Sequence, residues 1–254
     1  MDYGKRRAKS ECESVTKSWR KRIGLASAGF VVGLAVSLIA VSPSHATTTY
    51  NRSGVVSYAK KYACNDDMSC QNPGYMRMGF ILYNDGSDCA NFVSQSINVG
   101  GGLPSVYSGP TELRWFYDEM PLGAYTGTAS WVKVSDLYYE LAVSNRMSYS
   151  TMPTMTNQYS GAKPGDVYMY DWGQGEGYSH MAIATGDGTF ATYMDPYNKD
   201  KNYNSVTAGA GSKIAQHSRD RDGAPWNWGY WTQGNPTIKK LMRTMVIHMS
   251  DVIF

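Results

Sequence analysis

Cys89 is the residue best placed for nucleophilic chemistry. It sits near the start of DCANFVSQSIN (88–98), where Cys89, Phe92, Val93 and Ser96 recur at i, i+3, i+4 and i+7. That spacing predicts a helix with the cysteine at its start, on its inward side. Ser87 or Asp88 is the expected N-cap and Gly100, Gly101 and Gly102 the expected stop. A helix start carries partial positive charge and unpaired N–H groups. Both favour a thiolate over a thiol, and the same N–H groups can hold an oxyanion after attack on a carbonyl.

A thiol also needs a base. Beyond residue 46 the histidines are His180, His217 and His248. His180 lies in SHMAIATG, where alternation puts His180, Ala182 and Ala184 on one strand face and Met181 and Ile183 on the other. The small neighbours leave room for a partner or substrate. From the pattern alone, His180 is either a base or a core histidine. No HExxH, CxxC or compact His/Asp group is present, so no metal or cofactor is expected. No GxSxG elbow marks a serine nucleophile.

These groups sit in a chain of 254 residues whose first part does not read as a folded domain. A basic stretch from Lys5 to Arg22 precedes 18 uncharged residues, 24–41, and a short segment ending Ser-His-Ala at Ala46. This is the pattern of an export leader cleaved near Ala46; an uncleaved anchor is the alternative. The expected division is a leader over 1–46 and one domain over 47–254, secreted and not inserted in a membrane. Without the leader the charge falls from +3 to about −2, with 16 Lys/Arg against 18 Asp/Glu. No clustered positive charge argues for nucleic acid. Outside the cell cysteines tend to pair. Cys64 and Cys70 form the natural disulfide, leaving Cys89 as the odd thiol. The 20 Tyr and 7 Trp keep a competing reading open: an aromatic-rich binding module with no catalysis.

The elements that must position these groups follow from periodicity. Residues 50–63 read as an amphipathic helix with Val55, Tyr58, Ala59 and Tyr62 inward. Residues 64–87 read as loop, 103–130 as irregular, 131–134 as a short strand, 136–145 as a helix and 146–162 as polar linker. Strands are expected at 167–172, 180–185, 214–218 and 244–249. Helices first and strands later, without βαβ alternation, predict an α+β fold with an antiparallel sheet.

The segments YNRSGVVSYAKKYA (50–63), NPGY (72–75), SDCANFVSQSINVGG (87–101), SWVKV (130–134), KPGDVYMYDW (163–172), SHMAIATG (179–186) and IAQHSRD (214–220) occur in one order over nearly all of the chain after residue 46. Together they resemble the putative amidase domain family, within the papain-like superfamily that includes NlpC-type and CHAP peptidoglycan hydrolases. The resemblance implies a papain-like arrangement, a nucleophile-bearing helix packed on an antiparallel sheet that bears the base. It implies Cys89 as nucleophile and His180 as general base, joined as a thiolate–imidazolium pair. A third residue should orient the imidazole, and the matching position is His217, with Asp220 and Asp195 as alternatives. Asn91 and Gln95 match the family segment and imply packing or hydrogen bonding near the site. The implied substrate is an amide or peptide bond, with cell-wall peptidoglycan first among substrates. Acyl transfer to an amine would use the same site.

Overall fold

The computed structural model describes residues 48–63, 88–107, 114–120, 124–144, 147–152, 161–187, 190–194, 202–206, 213–217 and 220–253. All of them fall in a compact unit spanning His45–Phe254. The leader expected over 1–46, the expected Cys64–Cys70 disulfide and Asp195 lie outside the described residues.

Helix α1, Arg52–Tyr62, forms where expected. Asn51 caps it by accepting from the Gly54 N–H at 2.9 Å, and Lys60 and Lys61 in its last turn favour the negative end of its dipole. Val55, Ala59 and Tyr62 are buried along one stripe. Helix α2, Cys89–Gln95, is buried at all seven residues and runs on as one wider turn, Ser96–Gly100. Gly102 at φ +75° closes it, a conformation that a Cβ disfavours. The two helices approach at glycine: a Cβ on Gly100 would lie 2.7 Å from the Gly54 carbonyl oxygen.

The strands β4 (Ser148–Met152), β5 (Val167–Asp171), β6 (Tyr178–Gly186), β9 (Lys213–Gln216), β10 (Arg221–Pro225) and β11 (Arg243–His248) form a six-stranded sheet in the order β10-β9-β6-β5-β11-β4. Every neighbouring pair is antiparallel. The fold is therefore α+β. Two-stranded ladders join β2 (Tyr117–Met120) to β3 (Ala124–Gly127) and β7 (Phe190–Met194) to β8 (Asn202–Val206). A further ladder joins β1 (Thr48–Thr49) to β12 (Val252–Ile253). Among the described residues no helix is long and apolar enough to cross a membrane.

The sheet separates two apolar clusters. On one face Val167, Met169, Met181, Ile183, Ala215 and Ile247 pack with residues of α1 and α2. On the other, Tyr168, Tyr170, Ala182, Ala184, Ile214 and Val246 pack beneath Trp226 and Met242. Two short helices, α5 (Trp228–Thr232) and α6 (Pro236–Leu241), follow β10, and their Trp228, Tyr230 and Ile238 pack against this second cluster.

Two expectations over these regions are corrected. Residues 131–134 are not a strand: Ala129–Val132 form α3, and Val134–Tyr138 form α4, which continues to Ser144. Trp131 and Val132 favour strands as residue types. Here Trp131 is buried against Trp115, ring centroids 4.8 Å apart, and packing overrides propensity. Residues 146–162 are not linker throughout, because Ser148–Met152 pair with β11 as a sheet edge. An edge strand with polar outward residues carries no apolar alternation to read.

Candidate active site

Cys89 is the first residue of α2, fully buried, and a thiol rather than half of a disulfide. The helix that carries it is held by a string of buried polar side chains. Asp88, at the N-cap position, accepts no cap hydrogen bond from the helix backbone; its carboxylate instead accepts from Asn91 Nδ2 at 2.7 Å. Asn91 Oδ1 accepts from Trp131 Nε1 at 2.8 Å and from Gln95 Nε2 at 3.0 Å, and Gln95 accepts from the Tyr58 hydroxyl at 2.7 Å. Ser94 donates to the Trp131 carbonyl and accepts from Trp115 Nε1. Such a satisfied network fixes the helix in one register, since breaking any link strands a buried polar group. Asn91 and Gln95 thus position the cysteine helix.

His217 reaches the same helix start. Its Nδ1 lies 2.7 Å from Asp88 Oδ2, its Nε2 lies 2.8 Å from the Tyr62 carbonyl, and its ring stacks on Phe92 at 4.4 Å. Asp220 is further off, with its carboxylate 3.8 Å from Nε2. Acceptors at both nitrogens favour the doubly protonated ring. Burial pulls its pKa down, but the hydrogen bond and charge of Asp88, then Asp220 and the Tyr62 carbonyl, raise it above the usual histidine value.

His180 faces the other way. Met181 and Ile183 lie in the helix-side cluster, and Ala182 and Ala184 lie in the opposite one. The His180 ring lies among Tyr170 and Trp172, centroids 5.8 and 5.7 Å away. Its hydrogen-bond partner is the side chain of Gln216, not His217. Gln216 is fixed in turn by Trp228 Nε1 at 3.0 Å, and the Arg221 guanidinium stacks 3.7 Å above the Trp228 ring. Burial drives the His180 pKa down to about 4; Gln216 opposes this and Arg221 adds to it. The ring is therefore neutral near pH 7. Its Nε2 is buried with no hydrogen-bond partner, as is the Tyr170 hydroxyl.

The structure thus brings His217 to the start of the cysteine helix and holds His180 on the opposite sheet face with Gln216. The thiolate–imidazolium pair expected from sequence would need a bond between the thiol and the imidazole, and in this structure His180 Nε2 makes none. Sequence reasoning missed Gln216, Trp228 and Arg221. Gln216 is one residue before the position chosen, and in a strand one residue changes the face. The remaining signal was the shared alternation of His180 with Ala184 and of Gln216 with Ile214.

A family model described as "Putative amidase domain" matches residues 49–242. The chain belongs to that family. The match spans α1 through α6 and so includes Cys89, His180 and His217. Membership carries a hydrolase acting on an amide substrate as the reaction class of this domain. No curated protein and no solved structure matches the chain.

Proposed function

We propose that the chain is an exported cysteine amidase that cleaves peptide-type bonds, with bacterial cell-wall peptidoglycan as the first substrate to test. The observation that carries this reading is a buried thiol opening a helix inside the amidase-family span. Cys89 attacks the amide carbonyl, forming the C–S bond, and the N–H groups at the helix start hold the oxyanion. His180 accepts the thiol proton and returns it to the leaving amine; water then hydrolyses the thioester. Resting as thiol and neutral imidazole, the pair ionises only when the thiolate's charge is beside the ring and lifts its pKa.

The reacting groups must come to roughly 3–3.5 Å. His180 follows a bulge at which Tyr170 pairs with His180 but Asp171 pairs with Tyr178, leaving Ser179 as the extra residue. Bulges re-aim side chains, and this reading requires the His180 ring to turn at this one, away from Tyr170 and Trp172 and toward the thiol. A second reading makes His217 the base, favoured by its contact with Asp88, the residue before the cysteine. It requires His217 to release the Tyr62 carbonyl first.

Alkylation of Cys89 followed against pH in the native protein, His180→Ala and His217→Ala, decides the base. The His180 reading expects the profile to move in His180→Ala; an unchanged profile there and a moved one in His217→Ala transfers the role to His217. Incubation with purified wall fragments, with products resolved by mass, tests the substrate. New amine and carboxylate ends are expected, and intact fragments alongside cleavage of a small amide would remove peptidoglycan from the proposal.

A further inference from the structure

A hydroxyl–imidazole–carboxylate chain lies elsewhere on the sheet, on β4, β11 and the turn before β5. Ser150 Oγ is 2.9 Å from His248 Nε2, and His248 Nδ1 is 3.1 Å from Asp166 Oδ2. The three fall in the role order of a serine nucleophile, its base and the group that orients the base. Burial is graded in the same order. Ser150 is exposed, the His248 side chain is 29% exposed, and Asp166 is fully buried. Asp166 is held rigidly: Oδ1 accepts from Arg52 at 2.8 Å and from the Met249 N–H at 3.0 Å, and Oδ2 accepts from the Lys163 N–H at 2.9 Å. That many donors hold the carboxylate in one place, with His248 Nδ1 directed at it. Nε2 then faces Ser150 as an acceptor.

Beside this chain is a cleft of about 440 Å³ lined by Ser148, Lys163, Asp166, His248 and Arg52 among others. Its volume is that of a small-molecule site, and Met147 and Met249 give it an apolar part beside the polar groups. Lys163 is exposed there and brings positive charge to the cleft. The site stands apart from the cysteine. Asp166 precedes the first residue of β5, whereas His180 pairs with Tyr170 near its end, and Arg52 opens α1, whereas Tyr62, the contact of His217, ends it.

We propose that Ser150, His248 and Asp166 form a second nucleophilic site that hydrolyses short-chain acyl esters. Ser150 Oγ attacks the ester carbonyl while its proton passes to His248 Nε2. The C–O bond to the alcohol breaks, and His248 returns the proton to the leaving alkoxide. Water attacks the acyl-serine, His248 again taking and returning a proton, which releases the carboxylic acid and restores Ser150.

The test uses the full chain with Cys89→Ala, so that the thiol cannot contribute. p-Nitrophenyl acetate hydrolysis and labelling by a fluorophosphonate probe are measured with and without Ser150→Ala or His248→Gln. The proposal expects the label on the peptide holding Ser150. Ester hydrolysis should fall to the uncatalysed rate in Ser150→Ala and by at least about a hundredfold in His248→Gln. Ser150 is exposed and Ser150→Ala leaves the Asp166–His248 bond in place, so its fold is retained. Hydrolysis unchanged by Ser150→Ala, or a label distributed over other serines, overturns the proposal.

Discussion

The two faces of the β6–β9 pair carry two histidines pushed in opposite electrical directions. On the helix side His217 is held between Asp88 and the Tyr62 carbonyl and is pushed toward the charged form. On the far side His180 is buried among Tyr170 and Trp172 and is pushed down to about 4. Burial is severe for both. The difference is the partner: two acceptors, one of them a carboxylate, against an amide side chain and a nearby guanidinium. A histidine with both nitrogens committed is suited to hold structure, and one with an open nitrogen is suited to move a proton.

The largest effect that would break or sharpen this contrast is at the sulfur. Cys89→Ala should lower amide hydrolysis by roughly 10⁴-fold or more with the melting temperature little changed. An active alanine variant would remove both histidines from any reaction at this helix. Next comes the pair itself. His180→Ala is expected to cost about 10²–10⁴ in kcat. His217→Ala should instead lower the melting temperature, because it removes the ring that bonds both Asp88 Oδ2 and the Tyr62 carbonyl. Paired kinetics and thermal scans separate the two.

The pH dependence of stability should have opposite signs. The raised pKa of His217 stabilises the fold fully below about 6.5, the unfolded value, and that contribution is lost as pH rises through its folded pKa. The depressed pKa of His180 means that the unfolded chain binds a proton first. Its favourable contribution is present above about 6.5 and is lost as pH falls toward about 4. Denaturant midpoints measured from pH 4 to 8 should therefore lose their acid-side fall in His180→Ala and their alkaline-side fall in His217→Gln.

Two smaller effects probe the far face alone. A Cβ at Gly229 would lie 2.3 Å from the Trp172 ring, so Gly229→Ala should cost about 1–3 kcal/mol in denaturant unfolding and disturb the His180 surroundings. Trp228→Phe removes the donor that fixes Gln216, worth about 1 kcal/mol. A drop in kcat of about fivefold with unchanged KM is expected if Gln216 orients the base, and no drop if it only packs.

The helices and central strands were legible because their apolar periods are strong: Val55, Ala59 and Tyr62 on α1, and Met181 and Ile183 on β6. The edge strand β4 was hidden because residues 148–151 are all exposed and declare no buried face. The Trp131 helix was hidden because its residue types favour the other state. At the site, Cys89 and His180 stand out by residue type and pattern, whereas Gln216 does not, since an amide earns its place only through what lies across the sheet from it. The Asp88 carboxylate was read as a cap, but its contacts to Asn91 and His217 depend on long-range packing that spacing cannot express.

Thr48–Thr49 and Val252–Ile253 lie in one ladder, and the Tyr50 N–H donates to the Asp251 carbonyl at 3.1 Å. Entry and exit of the domain are thus neighbours, and its path is nearly a closed loop. New termini could be opened at a surface turn and the old ones fused by a short linker, giving a circular permutant whose sheet and helix contacts are unaltered. For the same reason the domain can be spliced as a unit into a loop of another protein without stretching either.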